Sequence, residues 1–160
     1  MPEDADRCAA IYAPYVTDTA ISFETDPPTA AEMARRMAEA HAWVVLVADG
    51  EVVGYAYGGP FMARAAYQWS AGVSVYLDGS RRRTGAGRAL YTALFDRLAR
   101  QGIRTVLGGV ALPNEASEGL HVALGFEPVG TYRRVGWKHG RWHDVAWYQK
   151  DLVTGWSPPG

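Results

Sequence analysis

The chain has 160 residues, 48% hydrophobic and 21% charged, a composition that suits one folded domain over residues 1–160 and excludes an extensively disordered chain. Sixteen Lys and Arg against seventeen Asp and Glu leave a net charge of −1, without the basic excess of a dedicated nucleic-acid binder. The single cysteine, Cys8, excludes an internal disulfide and a multi-cysteine zinc site, and in its Ala-rich helical stretch it reads as a buried structural thiol.

The start, "MPEDADRC", has no basic-then-apolar leader pattern, so the expected location is cytoplasmic. "PEDADRCAAIYAPYV" then places Cys8, Ile11, Tyr12 and Tyr15 at helical spacing, with Pro14 expected to end or kink the helix. "ISFET" reads as a short extended piece. Thr29 followed by Glu32 forms a capping box that opens a second helix, running to about His41. "WVVLVA", Asp49-Gly50 and "EVVGYAYGG" make a two-residue hairpin.

"YQWSAGVSVYL" is a strand with Gly72 inside it, where a glycine often marks a bulge or a close backbone approach. A helix follows with Leu90, Leu94 and Leu98 spaced at four, and Gly102 as its stop. "RTVLGGVAL" is a buried strand, and "NEASEGLHVALGF" holds a short helix ended by Gly125. The segment from Glu127 to Leu152 reads as two strands joined through a Gly-containing turn. The fold class is therefore α/β or α+β, a sheet with helices on its faces. No apolar run approaches the roughly 18–20 residues of a membrane span. His139 and His143 lie four apart, but Gly140 between them favours the hairpin over a metal site.

Between "VSVYL" and the Leu-striped helix stands "SRRRTGAGR". The start of a helix leaves backbone N–H groups unpaired and carries a partial positive charge. Gly85 and Gly87 let those amides converge, and Arg81, Arg82, Arg83 and Arg88 add cations suited to several phosphates. The stretch is neither a Walker A loop nor a dinucleotide fingerprint. It fits a phosphate cradle, and also a solvated basic turn.

Arg82-x-x-Gly85-x-Gly87 after a strand resembles the acyl-CoA pyrophosphate loop of the GNAT superfamily of N-acetyltransferases. Together with "ISFETDPPT", "FMARAAYQW" and "LPNEASEGLHVALGFEPVGTYRRVGWKHGRWHDVAWYQKDL", most of the chain is similar to the phosphinothricin and methionine sulfoximine acetyltransferase branch. The family pattern begins with a short strand before the "PEDA" helix, where this sequence opens.

The resemblance implies a mixed, mostly antiparallel sheet with helices on both faces, whose splayed strands bind the acyl-CoA arm as an added strand would. It assigns the cofactor's arm to Val75, Tyr76, Leu77, Asn114 and Ser117, and its pyrophosphate to Arg83, Thr84, Gly85, Ala86, Gly87 and Arg88. It implies an acetyl-CoA-dependent N-acetyltransferase without a metal, acting on the amino group of a small amino-acid-like compound and working as a homodimer. Neither a nucleic acid nor a membrane is an expected partner. Arg64 and Tyr67 match positions that hold the amino-acid-like ligand, and a guanidinium suits a carboxylate or phosphinate. Met62 stands where some phosphinothricin-active relatives carry lysine.

The attacking amine must lose a proton. Relatives generally carry a glutamate where this chain has Gly72. Glu24 and His121 are the remaining catalytic candidates. Gly72 also leaves open a non-catalytic acyl-CoA-binding module, and a protein N-acetyltransferase is a further alternative.

Overall fold

The computed structural model describes residues 2–81 and 84–158, the side chain of Pro2 excepted. After a 3-10 turn come helices α1 (Ala5–Thr17) and α2 (Ala30–Glu39), then strands β1 (Ala42–Ala48), β2 (Glu51–Pro60) and β3 (Ser70–Leu77). Helix α3 (Ala86–Arg100), β4 (Thr105–Ala111), α4 (Glu115–Ala123), β5 (Glu127–Lys138) and β6 (Arg141–Asp151) follow. The strands form one sheet in the order β1-β2-β3-β4-β6-β5. Every neighbouring pair is antiparallel except β3 with β4. The expected mixed, mostly antiparallel sheet is therefore present.

Strand side chains alternate between faces, and two apolar clusters result. On one face, Leu90, Leu94 and Leu98 of α3 pack on Val44, Ala56, Val73 and Val106. Leu94 and Leu98 are fully buried, each worth about 1.5–3 kcal/mol of apolar transfer. On the other face, Cys8, Ile11 and Val16 of α1 and Met33 of α2 pack on Val52 and Tyr55. Burial pushes the Cys8 thiol up to about 11, so it stays protonated at neutral pH.

Local signals act where the sequence placed them. Asp49 and Gly50 both have positive φ, 53° and 76°, the geometry of a type I′ hairpin. The Thr29 side chain accepts from the Glu32 N–H at 3.1 Å. Glu32 turns its carboxylate to Arg35 and Arg36, so only half of a reciprocal capping box forms. Gly102 and Gly125 leave their helices at φ 94° and 88°.

Three local readings are narrowed. Pro14 lies inside α1, and its carbonyl still accepts from the Asp18 N–H at 2.8 Å, so the helix runs on to Thr17. "ISFET" joins no strand. It is held by side chains instead, as described below. Gly72 marks no bulge against β2, because β3 keeps one unbroken register from Ala71 opposite Pro60 to Leu77 opposite Gly54. Among the described residues, no helix is long and apolar enough to cross a membrane.

Candidate active site

The site begins where two parallel strands part. β3 and β4 pair at three positions only, Ser70 with Thr105, Ala71 with Val106 and Gly72 with Leu107. Beyond Gly72 the edge of β3 that faces β4 has no partner strand among the described residues, and a strand edge of this kind accepts an extended ligand through backbone hydrogen bonds. The gap opens into two chambers that share Ile21, Val73, Ser74, Tyr76, Gly109 and Ala111 as walls.

The narrower chamber, about 50 Å³, is lined by Val75, Tyr76, Asn114, Ser117 and His121. Five expected residues thus meet in one place. Leu77 does not line it, and its carbonyl accepts from the Tyr15 hydroxyl at 2.6 Å. Asn114 caps α4, its Oδ1 accepting from the Ser117 N–H at 3.2 Å. Asn114 is thus the N-cap of α4. Ser117 sits in the first turn, and its carbonyl accepts from His121 Nδ1 at 2.7 Å.

That bond fixes the imidazole. A carbonyl only accepts, so Nδ1 carries the proton and Nε2 of the neutral ring keeps its lone pair. Nε2 is buried and, among the described residues, has no hydrogen-bond partner. His121 is 3% exposed, wedged between Phe126 and Tyr148 with ring centroids 4.8 and 5.4 Å away. Burial lowers its pKa against the opposing pull of the Ser117 carbonyl.

The wider chamber, about 530 Å³, is walled by Tyr12 of α1, by Ser22, Phe23 and Glu24 of the loop after α1, by Gly72 and by Trp147 of β6. Glu24 is gripped here. Arg36 of α2 donates to its two oxygens at 2.7 and 3.0 Å, and the Tyr12 hydroxyl donates to Oε2 as well. The Arg36 hydrogen bonds lower the Glu24 pKa against the cost of burial. Tyr12 and Ser22 share a hydroxyl–hydroxyl bond of 2.6 Å. A Cβ at position 72 would meet nothing within 4 Å, so the place of the expected glutamate is open space in this chamber.

Gly85 stands at the N-cap of α3 with φ 83° and no side-chain cap. The amides of Ala86, Gly87 and Arg88 begin the helix as its first turn, which has no intrahelical acceptors. Thr84, Gly85 and Arg88 are exposed, whereas Ala86 and Gly87 are buried. Arg81 lies 3.7 Å from Asp49. Arg82 and Arg83 lie outside the described residues. An anion is favoured at such a helix start.

Arg64 and Tyr67 line neither chamber. Both are exposed, at a short 3-10 turn spanning Ala65–Tyr67. Tyr67 reaches the wider chamber only through rings, 5.8 Å to Phe61 and then 6.1 Å from Phe61 to Trp147. His139 occupies the β5–β6 turn with φ 52° and His143 is buried. Among the described residues no group of three or more His, Cys, Asp or Glu is placed to hold a metal.

Tyr12, Ser22, Arg36 and Trp147 escaped sequence reasoning. Tyr12 and Arg36 read as ordinary helix residues. Their meeting at Glu24 leaves no periodic trace. Trp147 could have been found from inward alternation along the last strand.

Comparison with known proteins gives a consistent picture. Residues 1–147 match the acetyltransferase (GNAT) domain family. The phosphinothricin N-acetyltransferase of Streptomyces viridochromogenes is 39% identical over 148 residues, covering 91% of this chain and 80% of that protein. The L-methionine sulfoximine/L-methionine sulfone acetyltransferase of Pseudomonas paraeruginosa is 35% identical, over 94% of this chain and 90% of its own length. A phosphinothricin acetyltransferase from Sinorhizobium meliloti, solved in complex with acetyl-CoA, superposes with a TM-score of 0.91 at 35% identity, over 95% of this chain and 85% of that one.

Proposed function

This chain belongs to the GNAT acetyltransferase family, and on that footing we propose that it transfers the acetyl group of acetyl-CoA to the amino group of a small amino-acid-like acceptor. Phosphinothricin, methionine sulfoximine and methionine sulfone are the acceptor types, by analogy with the relatives' activities. The observation that carries the reading is the parting of β3 from β4 after Gly72, which joins an unpaired strand edge to two adjoining chambers. The cofactor's phosphates would rest on the uncapped start of α3, with Arg83, Thr84, Gly85, Ala86, Gly87 and Arg88 around them. Its arm would follow Val75 and Tyr76 past Asn114 and Ser117. Acetyl-CoA supplies a thioester carbonyl open to an amine and a thiolate that leaves.

The wider chamber would receive the acceptor. Its ammonium form is attracted by the Glu24 carboxylate, which Arg36 and Tyr12 keep ionised and fixed. Glu24 held this way is a weak base at neutral pH and serves as an anchor. His121, neutral, with a free Nε2 lone pair and lining the adjoining narrower chamber, is the group suited to take the amine's proton through water. Arg64 and Tyr67, which line neither chamber, would select acceptors from outside the wider one.

A second copy of the chain would cover the outer face of the β5–β6 hairpin. Val129, Tyr132, Val135, Trp137 and Trp142 are each more than half exposed there, more apolar surface than an isolated subunit commonly leaves in one region. Cytoplasmic location completes the proposal.

The test is release of CoA thiol from acetyl-CoA with methionine sulfone, methionine sulfoximine and phosphinothricin. Saturable release with at least one of them supports the reading. Tight CoA binding without turnover across these amines overturns it in favour of a binding module, and acetylation of protein but not of free amino acids overturns the small-acceptor assignment.

A further inference from the structure

The loop that carries Ser22, Phe23 and Glu24 into the wider chamber has no strand partner and no helix of its own. It is nevertheless held from a point more than a hundred residues away. Lys138, the last residue of β5, is 8% exposed. Its Nζ donates to the carbonyls of Val16 at 2.6 Å, Ser22 at 2.7 Å and Glu24 at 2.8 Å. An ammonium has three protons, and here all three are used. The acceptors are one carbonyl from the last turn of α1 and two from the loop itself, on either side of Phe23.

Neighbouring residues of the same hairpin reinforce the grip. Gly136 leaves the space into which the Phe23 ring fits, since a Cβ there would run into that ring. The buried His143 ring lies 6.1 Å from the Phe23 ring and contacts the Lys138 carbonyl through Nε2 at 2.9 Å. His139 Nε2 lies 3.2 Å from the Thr19 carbonyl. The wall of the chamber is thus assembled from the opposite end of the chain.

We propose that Lys138 is a positioning residue for the acceptor amine: its ammonium fixes the backbone of Ser22 and Glu24, and through them the wall against which the acceptor is aimed. Lys138 itself lines neither chamber. It acts by setting where Ser22, Phe23 and Glu24 stand, while the cofactor side of the site is built mainly from β3, β4, α3 and α4, with Ile21 as the loop's contribution to its wall. Removing the ammonium leaves three carbonyls short of a donor and releases the loop.

The proposal rests on the acetyl-transfer reading for its kinetic consequence but not for its structural one. The experiment therefore has two arms on Lys138→Met in the full chain. In the first, amide hydrogen exchange is followed by mass spectrometry. Peptides covering residues 18–26 should lose protection while those of α3 keep theirs, and unchanged exchange in the loop overturns the proposal whatever the enzyme acetylates.

In the second arm, steady-state kinetics use methionine sulfone and acetyl-CoA. The KM for the amine should rise by roughly ten- to a hundredfold, the scale on which misplacement by about 1 Å acts, with the KM for acetyl-CoA within about twofold. Equal changes in both constants, or none in the amine's, overturn it. Should no amine be turned over, calorimetry with CoA replaces the kinetics. Affinity should then match the wild type despite the loosened loop, and a parallel loss of CoA affinity overturns the proposal.

Gly136→Ala displaces the same loop from its other contact and guards against failure of the lysine variant to fold. It should give the same split between the two substrates, and a uniform loss overturns the proposal equally.

Discussion

Arg36 donates to both carboxylate oxygens of Glu24, Nη2 to one at 2.7 Å and Nη1 to the other at 3.0 Å, and the Tyr12 hydroxyl donates to the second oxygen as well. Three elements therefore meet on one side chain at the wall of the wider chamber. A carboxylate that accepts a forked guanidinium and a phenol is stabilised as an anion. It is held as a fixed negative charge, unlike a base that must gain and lose protons near neutrality.

Arg36→Met should raise the Glu24 pKa, because the hydrogen bonds that lower it are its largest determinant. The sign for stability follows. A carboxylate depressed in the fold stabilises above its ordinary value of 4.5, and that contribution disappears as pH falls through the depressed value. Denaturant unfolding across pH 3–7 should show the acid loss in the wild type and a weaker one in the variant. The same substitution should raise the KM for the amine more than that for acetyl-CoA, measured by thiol release.

His121 is the second titrating group with a defined sign. Burial lowers its folded pKa below the ordinary 6.5, so the unfolded chain takes up a proton first as pH drops. Wild-type stability should fall between about 6.5 and the depressed value, and His121→Gln should lack that part of the slope. With the imidazole as base, kcat/KM should have an acid limb centred below 6.5. The variant should lose about a hundredfold or more in kcat, the scale of general-base catalysis. Intact kcat in the variant would remove the imidazole from the chemistry.

The open space at Gly72 allows a direct complement to that variant. A Cβ there meets nothing within 4 Å, so Gly72→Glu should fold with its thermal midpoint shifted by no more than about 4 °C. Placed in the His121→Gln background, it should recover part of the lost turnover by supplying a carboxylate to the wider chamber, which adjoins the one His121 lines. On the wild-type background turnover should stay within about threefold of its starting value, since His121 already provides a free lone pair near the pH of reaction. No recovery in the double variant would mean that a base at position 72 cannot reach the amine.

At the helix start, Gly85→Ala should weaken CoA binding in calorimetry by about tenfold or more. The residue holds φ 83°, a left-handed conformation that costs a side chain about 1–2 kcal/mol, and relief of that strain re-aims the amides of the first turn. Gly87 is less clean than its spacing suggested, because a Cβ there would lie 3.0 Å from Leu120 Cδ2 and press on α4 as well. Unchanged affinity in Gly85→Ala would count against the phosphate cradle.

The exposed apolar residues of the hairpin give a test of assembly. Trp137 and Trp142 stand 5.1 Å apart as an edge-to-face pair, with Tyr132 and Val135 nearby in sequence on β5, all more than half exposed. Trp137→Glu should convert a dimer to a monomer in sedimentation velocity without loss of helical content by circular dichroism. An unchanged sedimentation coefficient would place any dimer contact elsewhere.

Short-range rules carried much of the fold into the sequence. Asp49-Gly50 dictates its hairpin because two positive φ angles are needed side by side. Thr29 caps α2 through a bond three residues on, and Gly102 and Gly125 stop their helices through their own backbones. The period-four leucines of α3 assign its buried face. The start of α3 after Gly85 and the short helix α4 were legible for the same reason, since each is set within one loop or one helical turn. Tertiary structure alone decided the rest. It kept Pro14 inside α1, left "ISFET" outside the sheet, closed Arg36 and Tyr12 on Glu24, and carried the Lys138 ammonium to carbonyls more than a hundred positions earlier. Contacts of that kind depend on where two elements come to rest in space, and hydrophobic period, capping and turn chemistry encode only what a residue does to its own few neighbours.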